Sequence, residues 1–189
     1  FEMRAVVRHW LQQHNRDMVG DTLVEYSRAL EADPQNASLR MQRGWLLAKT
    51  QRQALEDFEV AINAADPAES NRITRALAHS GRAYVYAMEG YEDDAIAAAE
   101  QASALAPENE DVQFNAAIAY SLCVELAKRD PAQAASAGEY TDRAVILLKK
   151  SLEMRRNRDP QWNEKWRRLL AEPGFTAIRD DEGFKALLQ

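Results

Sequence analysis

Residues 89–109 read EGYEDDAIAAAEQASALAPEN, a helix-forming run whose would-be core positions are nearly all alanine. Ala95, Ala99 and Ala102 stand four and three residues apart, the spacing of one helical face. Gly90 and Pro107 bracket the run as turn signals. A stripe of methyl groups buries too little apolar surface to hold a helix in place by bulk. It makes sense if neighbouring helices come very close, which predicts an all-α fold.

The same order of residues recurs along the chain. DTLVEYSRALEADPQN (21–36), QALEDFEVAINAADPAE (53–69) and DAIAAAEQASALAPEN (94–109) each place a small or short residue first. An aromatic or alanine follows four on, then alanine three further, then proline: Thr22, Tyr26, Ala29, Pro34; Ala54, Phe58, Ala61, Pro67; Ala95, Ala99, Ala102, Pro107. The first two sets are 32 residues apart and the next is 41 on, where the connection and first helix are longer. A second helical stretch accompanies each: LRMQRGWLLAK (39–49), RALAHSGRAYVYAM (75–88) and VQFNAAIAYSLCVEL (112–126). These carry a small residue three before a bulky one: Gly44 with Leu47, Gly81 with Tyr84, Ala117 with Tyr120. In the middle stretch Ala83 with Tyr86 fits the second-helix spacing as well as Gly81 with Tyr84 fits the first. Repeats of this length are helix hairpins that bury their apolar faces only by stacking on one another. A proline just past each second helix blocks its continuation.

This pattern resembles the tetratricopeptide repeat (TPR) family: small-x-x-Tyr in the first helix, Ala-x-x-x-Phe/Tyr-x-x-Ala in the second, then proline. Three pairs match well, at 36–67, 70–107 and 109–153. A first pair at 3–34 is degenerate, with Trp10 and Gln13 where small and aromatic residues are usual. The last pair keeps Ala144 and replaces the later alanine by Ser151. The resemblance implies antiparallel helix pairs stacked into a right-handed superhelix, an α-solenoid with a concave groove, over residues 1–154. It implies a non-catalytic protein–protein interaction module that scaffolds or recruits a partner by binding its peptide or helix in that groove. Residues one turn either side of the small position are then expected to line it: Met41 and Trp45, Ala78 and Arg82, Phe114 and Ile118, with Arg40, Arg43 and Arg75 at the rim; Trp45 and Phe114 fit a core between repeats equally well. The Lys, Asn and Arg set with which one TPR subclass grips chaperone carboxylates is missing at these mostly apolar positions.

Residues 155–189 break the repeat. They read as a helix near 161–171, a turn at Pro173-Gly174 and two short helices. Trp162, Trp166, Leu169 and Leu170 share a face, and Phe175, Ile178, Phe184, Leu187 and Leu188 are further anchors. A cap over the last apolar face is expected. The ending is similar to tails that close TPR regions in bacterial multidomain proteins, some of them serine/threonine kinases. That implies a regulatory domain of a larger signalling enzyme as an alternative, although no kinase motif occurs in these residues. Self-association as a homo-oligomer, with the tail in the groove, is a further alternative.

The totals agree with a stacked helical fold. The 189 residues include only seven glycines and six prolines, 46% apolar and 29% charged residues. A chain this long buries roughly 70% of its unfolded surface without disulfide staples. One cysteine, Cys123, excludes an intramolecular disulfide framework and leads to an expected cytoplasmic location. The opening FEMRAVVRHW already follows a helical pattern, which suggests a piece of a longer protein. No apolar run approaches the ~20 residues of a membrane span, and a net charge of −6 disfavours nucleic acid and anionic membrane as partners. His9 and His14 are five apart, not the four that helical metal ligands prefer, and His79 lies in another helix. Cys123 sits in an apolar run with no adjacent histidine, as a small core residue would. The basic residues at 149–168 are interleaved with Glu153, Asp159 and Glu164, as on a solvated face. No catalytic residue, metal ligand or cofactor site is expected.

Overall fold

The computed structural model describes residues 16–48, 53–63, 69–131, 133–159 and 162–188, with the main chain alone at 16–18, 53, 69–71 and 162–165. Trp10, Gln13, His9 and His14, the 49–52 turn, the Asp66-Pro67 break and the Trp162 side chain therefore lie outside the described residues. The described chain is helical: α1 Arg16–Ala32, α2 Ala37–Leu47, α3 Gln53–Asn63, α4 Glu69–Glu89, α5 Glu92–Leu105, α6 Glu110–Arg129, α7 Ser136–Arg158 and α8 Trp162–Leu170. A 3-10 segment, Pro173–Ile178, and a last short helix, α9 Glu182–Ala186, complete it. Each helix from α1 to α7 packs on its successor, and α2, α4 and α6 also pack on one another in order. The result is three adjacent helix pairs, α2–α3, α4–α5 and α6–α7.

What lets the pairs approach is visible at Phe58. This ring, fully buried on α3, faces Gly44 of its own pair and Gly81 of the next. A Cβ on Gly44 would come within 2.7 Å of the ring, and one on Gly81 would overlap it outright. The aromatic thus fills the space that two missing side chains leave. It also selects between the two frames of the middle repeat, because Gly81 is the crossing residue. Tyr84 meets the preceding pair through Trp45, its ring 6.1 Å away.

Alanine replaces the aromatic one pair later. Ala95, Ala99 and Ala102 are completely buried, and Ala99 belongs to one cluster with Ala83 of α4 and Ala116 and Ala117 of α6. The alanine stripe of the opening stretch is therefore a contact face gripped from two sides. Ser151, the departure from alanine in α7, is equally buried and donates its hydroxyl to the Glu110 carbonyl at 2.8 Å. It ties the third pair's second helix to the start of its first.

Helix ends are set locally. Gly90 adopts φ +88 after α4, a conformation that glycine reaches without a Cβ clash. Tyr91 N–H bonds Tyr86 O at 2.9 Å and Gly90 N–H bonds Ala87 O at 3.3 Å, the Schellman pairing, with the Tyr86 and Tyr91 rings packed edge to face. Asn36 and Asn109, each two residues past a repeat proline, cap α2 and α6: Asn36 accepts from Leu39 N–H at 3.0 Å, and Asn109 from Asp111 and Val112 N–H at 3.1 Å. The connection between α6 and α7 is confined to residues 130–135.

The tail closes the stack on α6 and α7. Trp166, Leu170, Phe175, Ile178 and Phe184 are all buried. Phe175 packs on Phe114 at 5.4 Å and on Phe184 at 6.0 Å, and Trp166 meets Phe114 at 5.9 Å. Pro173 and Gly174 begin the 3-10 segment instead of forming a free turn. Proline suits that position, since the first N–H of a helix has no internal partner to lose.

Candidate functional site

Four of the six residues expected to line a groove are core in the structure. Met41, Ala78, Phe114 and Ile118 are between 0% and 4% exposed. For the residues before the crossing the reason is helical geometry: Met41 and Ala78 precede Gly44 and Gly81 by three, so they lie on the buried face too. Phe114 holds the same place before Ala117 and is further covered by Trp166 and Phe175, with the Arg155 guanidinium 5.7 Å from its ring centre. Ile118 lies under the tail, where a Cβ on Gly174 would approach its Cγ2 to 2.9 Å. This corrects the expected lining.

Trp45 and Arg82 follow the crossing residue by one and are half-buried. Trp45 donates from its indole N–H to Leu77 O at 3.2 Å and packs on Phe58 at 5.9 Å. It joins the first pair to the second. Arg82 donates through Nη2 to Gln101 Oε1 at 3.1 Å on α5 and to His79 Nδ1 at 3.2 Å on its own helix. The arginines assigned to the rim divide. Arg40 and Arg43 converge on the buried carboxylate of Asp57, at 2.8 Å and 2.6 Å, and are structural. The Asp57 bond also raises the Arg43 guanidinium further above its ordinary value. Arg75, on α4, has no such carboxylate.

An open feature remains beside the tail. A cleft of about 270 Å³ lies between α4, α6 and the 3-10 segment, lined by Met88, Leu122, Leu126, Glu125, Arg129 and Thr176 among others. Met88 is 60% exposed, so an apolar side chain stands in water at its mouth. Glu125 and Arg129 pair with each other at 2.9 Å one helical turn apart. Lys128 fastens one wall by donating to Ala177 O at 3.0 Å. Sequence reasoning missed this cleft because one of its walls is the tail, whose place against α6 residue order does not show.

Three titratable side chains inside the fold are shifted toward their neutral forms. Cys123 is fully buried, and burial with the nearby Glu92 and Asp93 charges pushes its thiol up to about 12. It stays protonated and unreactive at neutral pH. The Tyr140 phenol is likewise pushed up to about 12, by burial and by its 2.9 Å bond to Glu92. His79 moves down to about 4 through burial and the charges of Arg82 and Arg75, so its imidazole is neutral at physiological pH. Among the described residues no group of three His, Cys, Asp or Glu is placed to hold a metal ion. No described helix is long and apolar enough to cross a membrane.

The basic run also resolves into parts. Arg155 is buried and pairs with Asp111 at 2.6 Å, and Arg158 pairs with Glu110. Lys149, Lys150, Arg156, Arg167 and Arg168 are exposed, and the Lys165 side chain lies outside the described residues. No family model matches the chain, and no curated protein or solved structure matches it either.

Proposed function

We propose that the chain is a non-catalytic protein–protein interaction module, a tetratricopeptide-like scaffold that engages a peptide or a partner helix beside its row of first helices. Continued stacking of such pairs with one hand would form a right-handed superhelix, with α2, α4 and α6 along its inner side. The observation that carries the reading is the cleft between α4, α6 and the tail, with Met88 exposed at its mouth. At about 270 Å³ it is small beside the pockets that enclose whole organic ligands. It matches one or two apolar side chains projecting from a peptide. Methionine suits such a role because its unbranched, polarizable side chain adapts to different surfaces. Trp45, by contrast, belongs to the joint between pairs.

The test is a quantitative pull-down comparing Met88→Glu and Leu122→Glu with Ile146→Glu. Ile146 is 55% exposed on α7 and does not line the cleft, so it controls for an added surface charge. The cleft variants are expected to lose partner capture while Ile146→Glu retains it. Loss confined to Ile146→Glu, or equal capture by all three, would reject the cleft as the binding face.

A further inference from the structure

We propose that Arg75, His79 and Arg82 on α4 form a binding site for a phosphate-class oxyanion. The three residues stand at i, i+4 and i+7, so they share one face within two helical turns, about 10 Å along the axis, with His79 between the two arginines. His79 Nδ1 accepts from Arg82, which leaves the proton of the neutral ring on Nε2 and makes it a donor too. All three side chains therefore present N–H groups.

Their partners set these arginines apart. Four other arginines in the described structure are at least partly buried, and each has a carboxylate: Arg40 and Arg43 share Asp57, Arg72 takes Glu108, and Arg155 takes Asp111. Arg75 and Arg82 have none, and the Nε of each is buried without an acceptor. A buried charged donor without an acceptor is rare in folded proteins and calls for a specific reason. The field at His79 agrees, since burial and then the positive charges of Arg82 and Arg75 hold its ring neutral.

A phosphate-class dianion answers this arrangement better than a carboxylate. It carries enough oxygens for three donors spread over two turns, and its charge matches two guanidiniums. A single carboxylate brings one charge and so neutralises only one of the two guanidiniums. The site stands apart from the proposed partner cleft, whose lining includes none of the three residues. Phosphate binding and partner capture can therefore fail independently.

The experiment follows the arginine Nε–Hε and His79 ring resonances of the whole chain by NMR at neutral pH. Inorganic phosphate is titrated against sodium chloride at constant ionic strength, with acetate as the carboxylate probe. Saturable shifts at Arg75, His79 and Arg82 are expected with phosphate, with affinity falling about tenfold or more in Arg75→Gln and in Arg82→Gln. Thermal melts of both variants establish that they fold, and the parent titration stands without them. Shifts that never saturate, that acetate reproduces at equal concentration, or that survive both substitutions unchanged would overturn the assignment.

Discussion

The crossings of the first and second helix pairs solve one packing problem in opposite ways. At the first, a phenylalanine occupies the room left by two glycines: Phe58 lies against Gly44 and Gly81. At the second, the ring and the hydrogens give way to methyl groups, with Ala99 clustered among Ala83, Ala116 and Ala117. Side-chain volume is redistributed across the crossing, while close helix approach is kept. The repeat therefore specifies close helix approach, not which residue fills the crossing. Interiors packed to crystal density respond to a change in either direction, by cavity or by overpacking.

Substitutions that unbalance each crossing probe this contrast. Phe58→Ala removes the largest group and is expected to cost about 3–5 kcal/mol, read from chemical denaturation. A smaller cost would mean that the two glycine-bearing helices close onto the gap. Ala99→Leu acts in the opposite sense and is expected to destabilise by about 1–3 kcal/mol despite the gain in hydrophobicity. A melting temperature at or above the parent's would place Ala99 outside a tight crossing. The connections are the control, because the first and third pairs begin with the same asparagine cap, on α2 and α6. Asn36→Ala and Asn109→Ala should each cost about 1 kcal/mol, with little difference between them. A large disparity would show that the pairs differ in more than their crossings.

Much of the arrangement was legible in residue order. Helical spacing, Pro34, Pro107 and Gly90 located helices and their ends, and the Ala95–Ala99–Ala102 face was identified as buried. Periodicity is local, so it marks a face without saying which neighbour covers it. Met41 and Ala78 were assigned to a groove although they share the buried face of Gly44 and Gly81. Phe114 and Ile118 lie beneath a tail that comes some 50 residues later in the chain. Arg40 and Arg43 looked like rim charges because their acceptor, Asp57, lies on another helix. The Asn36 and Asn109 caps had a signal that went unused, an asparagine two residues past Pro34 and Pro107 and immediately before a helix. Arg75 and Arg82, the α4 arginines without a carboxylate, had none. An arginine without a carboxylate can be recognised only once the neighbouring helices are in place.

The central claim is that Phe58 and Gly81 are complementary, and a double-mutant cycle on that pair tests it most directly. Gly81→Ala is expected to destabilise the parent by about 1–3 kcal/mol, because the new Cβ overlaps the Phe58 ring. In the Phe58→Ala background the same substitution should stabilise by about 1 kcal/mol, since only the helix preference of alanine over glycine remains. A change of equal sign and size in both backgrounds would contradict the account.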